Sequence, residues 1–141
     1  MRIVLDTNVV LSALLWQGNP HQLLTAIRIR PDVALYSSPV VLEELADVLS
    51  RRSPAQRLAL IGKSASEILT DYVAAINMVE PAIVPRVVPG DADDDHVIAA
   101  AVAARADLIV TEDRKHMLPI GSHAGIAIVS VMGAVRRLRA L

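Results

Sequence analysis

The sequence predicts an α/β fold built on a mainly parallel, doubly wound sheet, and three observations carry that expectation. Two short apolar runs, Ile3-Val4-Leu5 and Leu108-Ile109-Val110, each end abruptly in a polar segment that contains Thr and Asp. Runs so short and so uniformly apolar suit strands buried on both faces, as in the middle of a parallel sheet. Helical periodicities separate the strand candidates, with no tandem hairpins between them.

Composition narrows the class. A chain of 141 residues is expected to form one domain, here spanning 1–141, with a core of its own. It is 53% hydrophobic, yet its aromatics are only Trp16, Tyr36 and Tyr72, so the core must be Leu, Val, Ile and Ala. The absence of cysteine excludes a disulfide framework, a thiolate nucleophile and cysteine-ligated zinc. Asp6 and Asn8 interrupt the first apolar run too early for a signal peptide. No run approaches the roughly 18 to 20 apolar residues that cross a bilayer. A cytoplasmic protein without membrane contact is expected. The net charge of −1 does not announce nucleic acid, but its distribution is uneven. Acids gather at Asp91-Ala-Asp-Asp-Asp95, and bases at Arg51-Arg52, Arg114-Lys115 and Arg136-Arg137 with Arg139. Such a chain could hold a metal in one place and a polyanion around it. Solvated helix faces explain any single arginine equally well.

The elements follow in order. The strand at residues 3–5 delivers Asp6, and a helix runs over residues 9–16 until Gly18-Asn19-Pro20 breaks it. A second helix is expected at 21–29, with Leu23, Leu24 and Ile27 on one face. A short strand follows at 33–36. Ser38 and Pro39 make a helix start, Ser as N-cap and Pro at the first helical position, for a helix over 39–50. Further helices are expected at 54–61, closed by Gly62, and at 64–77. Prolines at 81, 85 and 89 make 79–88 an extended connector or a short edge strand. The acidic run then precedes an alanine-rich helix from Val97. Residues 107–110 form a strand that leads into Thr111-Glu112-Asp113, followed by a turn and short helix at 114–118. A last strand over 125–129 and a last helix over 131–141 complete the chain.

Four acids stand out against this frame. In open α/β sheets chemistry lies outside the carboxyl ends of the strands, which is where Asp6 falls. Simple capping of the next helix, with Thr7 and Asn8 assisting, accounts for Asp6 just as well when it is taken alone. On the third helix Val41, Leu45 and Val48 make an apolar stripe, and Glu44 falls within it while Glu43 points away beside Asp47. An acid in an inward stripe costs stability unless something pairs with it or binds it. Four acids in five residues exceed what a helix dipole needs. An EF-hand loop is excluded, because His96 stands where Gly is required and Val102 where a bidentate Glu is required. Projecting the helix back from Ile98 and Val102 puts Asp94 and Asp95 near its buried side, with Asp95 the first choice. Asp113 repeats the arrangement of Asp6 at a second strand end.

Together Asp6, Glu44, Asp95 and Asp113 are expected at one end of one sheet. Carboxylates about 4 Å apart repel by a few kcal/mol at an effective dielectric near 20, and a divalent cation removes that repulsion. An oxygen-only donor set without thiolate or a histidine pair favours Mg²⁺ or Mn²⁺ over Zn²⁺. Such ions take up phosphate oxygens and acidify water, which points to phosphodiester hydrolysis. Asp6, Asp95 and Asp113 are the expected metal ligands. Thr7, Asn8 and Thr111 are expected to support them from behind.

The set Leu5-Asp-Thr-Asn8, Leu42-Glu-Glu-Leu45, Asp91-Ala-Asp-Asp-Asp95 before an Ile-Ala-Ala helix, and Val110-Thr-Glu-Asp113 resembles the PIN-domain family. More narrowly it is similar to the VapC-like toxin components of prokaryotic toxin–antitoxin pairs. The resemblance runs in motif order over nearly the whole chain. It implies a three-layer α/β/α sandwich, a Mg²⁺- or Mn²⁺-dependent endoribonuclease acting on RNA, frequent homodimers, and inhibition by a cognate antitoxin. Carried over residue by residue, the family's acids fall on Asp6, Glu44, Asp95 and Asp113, and its hydroxyl on Thr7, with Asn8 completing the motif. The acidic run is longer than in short toxins, so Asp91 or Asp94 could share the third role. In the fourth motif Glu112 stands where a small residue is common, and Lys115-His116 replace a downstream acid.

Other classes fit less well. A receiver-type regulator would need paired acids after the first strand, and Asp6 has no acidic neighbour. An aspartyl-nucleophile phosphatase would need Asp where Asn8 stands. A non-catalytic PIN-like module that binds RNA or protein keeps the fold, but all four acids are present.

Overall fold

The computed structural model describes residues 1–83 and 92–141, and residues 92 and 93 by backbone alone. Asp91 and residues 84–88 of the proline-rich connector, both singled out above, lie outside the described residues.

Chain order is β1 (Arg2–Leu5), α1 (Thr7–Leu15), α2 (Asn19–Arg28), β2 (Ala34–Ser37), α3 (Pro39–Leu49), α4 (Arg52–Ile61) and α5 (Ala65–Ala74). There follow β3 (Asn77–Met78), α6 (Ala92–Ala104), β4 (Leu108–Val110), a 3₁₀ turn at Leu118–Ile120, β5 (Ser122–His123), β6 (Ile126–Val129) and α7 (Val131–Arg139). The six strands make one sheet in the order β3-β2-β1-β4-β6-β5. Every pairing is parallel except that of β5 with β6.

The central strand is the first one made. Ile3 and Val4 are fully buried and Leu5 nearly so, as expected for a strand flanked by β2 and β4 and covered on both faces. Alternation sorts its side chains: Ile3 and Leu5 join a core that includes Val9 and Leu23 from α1 and α2, and Leu138 from α7. Val4 and Ile109 face the other way, onto Val97, Ile98 and Ala101 of α6. Two cores on opposite faces of one sheet make the expected three-layer α/β/α sandwich. Among the described residues no helix is long and apolar enough to cross a membrane.

Helix starts follow their local chemistry. The Ser38 hydroxyl accepts from the Val41 amide with Pro39 in the first turn, and Ser64 and Glu67 form a reciprocal capping box at α5. Gly62 closes α4 with φ +69°, a left-handed conformation that glycine adopts without a Cβ clash.

Three expectations are corrected. The last strand expected over 125–129 is present as β6, but it is one arm of a hairpin whose other arm, β5, was not expected: the two join through Ala124 and Gly125, with φ +51° and +79°. A two-residue hairpin turn asks for positive φ at both positions, and Ala124 meets that at a strain of about 1–2 kcal/mol. The usual Asn-Gly or Asp-Gly signal is missing, which hides the turn in the sequence. The short edge strand falls at Asn77–Met78, at the end of the segment expected to be helical and just before the connector at 79–88, because its backbone pairs with Tyr36 and Ser37. Helical structure after Asp113 is delayed to Leu118–Ile120, since residues 114–117 form a turn.

Candidate active site

The sheet itself decides where the acids meet. From β1 the chain crosses to β2 on one side, whereas β4 lies on the other side of β1 and continues to β6. The carboxyl ends of β1 and β4 therefore flank the point where the winding direction reverses, the place where open α/β sheets leave a crevice. Asp6 follows β1 directly, and its amide donates to the Val110 carbonyl at 2.9 Å, extending the parallel ladder by one residue. The Thr111 amide likewise donates to Val129 at 3.0 Å, so both strand ends are held by backbone before any side chain acts.

Asp6 occupies the N-cap position of α1, yet its side chain makes no capping hydrogen bond. Its carboxylate is directed elsewhere: the Thr111 hydroxyl donates to Asp6 Oδ2 at 2.8 Å. The same Thr111 oxygen accepts from the Asp113 amide at 3.1 Å. Thr111 is fully buried, so one hydroxyl ties the two strand-end acids together in a water-free setting. The capping explanation of Asp6 gives way to a positioned carboxylate.

Asp113 caps its own turn. Its Oδ1 accepts from the amides of Lys115 at 3.0 Å and His116 at 2.9 Å. The His116 ring lies 3.6 Å from the other carboxylate oxygen. Partial burial works to raise the Asp113 pKa. The His116 amide, a hydrogen bond with Asp94, the Lys115 amide and the His116 charge outweigh burial and hold it below the ordinary carboxylate value.

The third acid comes from α6, and here the structure refines the expectation. Asp94 is buried at 6% exposure and hydrogen-bonds to Asp113. Asp94, Asp113 and His116 each offer a ligand atom, all within 4.8 Å of one another. Asp95 is only half-buried and lines neither this group nor the cleft beside it. The buried side of α6 runs through Val97, Ile98 and Ala101, which places Asp94 one turn before it; Val102, used as the anchor in projection, is only partly buried.

A cleft of about 430 Å³ opens beside these acids, lined by Asp6, Thr7 and Asn8 on one side and by α3 on the other. The α3 wall carries Glu44 together with Glu43 and Asp47, so the two acids that helical projection turned away also face the cleft. Glu44 has a side-chain exposure of 15% and is bonded by His96 Nδ1. Asp47 pairs with Arg51 at 3.3 Å. The Thr7 hydroxyl oxygen, which lines the same cleft, is buried without a hydrogen-bond partner among the described residues. Asp94 belongs both to this lining and to the cluster with Asp113.

Sequence reasoning missed His96 and His116. His116 stands three residues after Asp113, a spacing that a turn brings together, but no residue pattern announces that turn. Glu112, whose effect was open, serves the fold: its Oε1 accepts from the Val131 amide at 2.9 Å and so holds the start of α7.

The arrangement fits a divalent cation on physical grounds. Two carboxyl groups in hydrogen-bonding contact at neutral pH need a shared proton or a cation between them. Carboxylate oxygens with one imidazole suit Mn²⁺ as well as Mg²⁺, and remain far from a thiolate-type zinc site.

A family model for the PIN domain matches residues 2–115. Among solved structures, the chain is similar to one in the crystal structure of VapBC2 from Rickettsia felis bound to a DNA fragment from their promoter. The two share 14% identity with a TM-score of 0.61, over 92% of this chain and 98% of the other. No curated protein sequence gives a match.

Proposed function

The chain belongs to the PIN-domain family, and from that premise we propose that it is a Mg²⁺- or Mn²⁺-dependent endoribonuclease, the toxin of a toxin–antitoxin pair. The observation that carries the reading is the convergence of Asp6, Asp94 and Asp113 at adjacent strand ends, with Glu44 beside Asp94 in the same cleft. The fold likeness to a chain of a VapBC2 assembly supports looking for an antitoxin; a homodimer belongs to the proposal through the family resemblance alone. A cytoplasmic location belongs to the same reading.

Asp94, Asp113 and His116 would hold the cation, with Asp6 contributing through its link to Thr111 and Asp113. Asp95 and Asp91, expected in this role or in support of it, yield the third place to Asp94 in the proposal. When bound, the ion supplies charge neutralisation at the scissile phosphate and makes water more acidic.

The chain's own groups do the rest. Glu44 orients the attacking water as an acceptor, its carboxylate held by His96. Burial of Asp6, Thr111 and Asp94 fixes the carboxylates before substrate arrives, so no reorganisation is needed during reaction. Thr7 and Asn8 line the cleft and would hydrogen-bond the strand being cut.

The test is cleavage of labelled single-stranded RNA by purified protein with Mg²⁺, Mn²⁺ or EDTA, beside an Asp6→Asn variant. Metal-dependent cutting that disappears in the variant supports the reading. Equal cutting by both proteins attributes it to a contaminant and removes the proposal.

A further inference from the structure

Charge is distributed unequally around the site. The α3 side of the cleft presents Glu43, Glu44 and Asp47; of the two basic residues lining the cleft, Arg51 is already paired to Asp47 and His96 to Glu44. That wall repels a polyanion. On the opposite side, past Asp113, a second and wider groove of about 690 Å³ runs between the 114–118 turn, the end of β6 and α7. It is lined by Arg114, Arg136 and Arg137 and by no acid. All three arginines are exposed, and among the described residues none of them forms an ion pair.

The groove adjoins the site along the chain. Arg114 is the residue after Asp113, and Ser130, which lines the groove, follows directly on β6, the strand that pairs with β4. Ser130, Gly133, Arg137 and Ala140 recur at helical spacing, so one face of α7 forms the wall. Gly133 brings no side chain into it, and a Cβ there would meet Ser130 Oγ and Val129 Cβ at 3.3 Å. The nearby acid Glu112 has its Oε1 held by the Val131 amide.

We propose that this groove is the track of the polynucleotide strand, with Arg114, Arg136 and Arg137 each bound to a backbone phosphate on the α7 side of the cut. The proposal rests on the nuclease reading of the adjoining carboxylates. Arginine forks match phosphate oxygens in geometry and charge, and bonds to backbone position a strand without reading its bases. The track therefore accepts single-stranded RNA and DNA of one sequence about equally. Discrimination between them is left to the cleft at Thr7 and Asn8.

The test is binding of a fluorescent single-stranded RNA, and of the same sequence as DNA, by anisotropy in EDTA so that nothing is cut. Wild-type protein is compared with the Arg114→Ala, Arg136→Ala, Arg137→Ala triple variant over about 50 to 200 mM salt. Three phosphate contacts on a single strand contribute a slope of about −2 in log affinity against log salt, roughly a 20-fold weakening over that range. The triple variant is expected to lose that part of the slope and to bind at least about tenfold more weakly at the low-salt end. A second variant, Arg28→Ala, Arg52→Ala, Arg105→Ala, removes the same charge from exposed positions off the groove and is expected to keep the wild-type slope. Equal loss in both triple variants, no loss in the groove variant, or no strand binding by wild-type protein overturns the proposal. Cleavage in Mn²⁺ is scored separately. Arginine-dependent binding without cutting keeps the track and removes the nuclease reading; cutting with an unchanged slope in the groove variant does the reverse.

Discussion

Replacing Thr111 by Val tests the central link of the site with almost no change of shape. The hydroxyl donates to a buried carboxylate at 2.8 Å and accepts from a backbone amide at 3.1 Å. Loss of a hydrogen bond to a buried charged group is worth about 1.5–3 kcal/mol, and leaving the amide unsatisfied adds about 1 kcal/mol. Thr111→Val should therefore lower stability by about 2–4 kcal/mol. For a domain of this size that is a fall in the melting midpoint of roughly 6–15 °C. Thr111→Ser keeps the hydroxyl and removes one methyl, for about 1 kcal/mol. Thermal and urea unfolding in EDTA measure both, and calorimetry with Mn²⁺ measures the consequence for ligand placement. Loosening the carboxylates should weaken metal binding by about 10–100-fold in the Val variant and much less in the Ser variant. Equal midpoints and equal metal affinities for Val and Ser would refute the idea that this hydroxyl organises the acids.

Two further outcomes follow from the same geometry. Asp94→Asn should lower Mn²⁺ affinity by at least about tenfold, whereas Asp95→Asn should leave it within a factor of about three; calorimetry on the pair decides which acid of the run is the ligand. Asp113 has a depressed folded pKa, so the stability it contributes is complete above the ordinary value of 3.8 and is lost as pH falls through the lower folded value. Urea midpoints of metal-free protein followed down through that window should drop more steeply for wild type than for Asp113→Asn.

The fold was legible because the strands carrying it are uniform. Ile3-Val4-Leu5 and Leu108-Ile109-Val110 are buried on both faces, and such runs resemble little else. The hairpin was not legible, since Ala124-Gly125 lacks the residues that advertise positive φ. Nor was β3, because two residues at an exposed edge are stabilised by pairing with β2 and not by any pattern of their own. In the site, Asp6, Glu44 and Asp113 could be picked out because each interrupts an apolar context. Asp94 could not be separated from Asp95: the lower half of α6 is buried on several sides, so its alanines give no sharp stripe to project from. His96 and His116 escaped because their partners lie on a different helix or across a turn, and contacts of that kind leave no periodicity.

The hydroxyl bridge joins residues 105 positions apart. In a nascent chain β1 emerges before β4, and it stays without one of its two neighbours until β4 has emerged and paired with it. No partial translation product shorter than that holds Asp6 and Asp113 together. A ribosome engaged in making this protein is therefore not exposed to a finished carboxylate centre until the segment through Asp113 has been synthesised and has folded back onto β1.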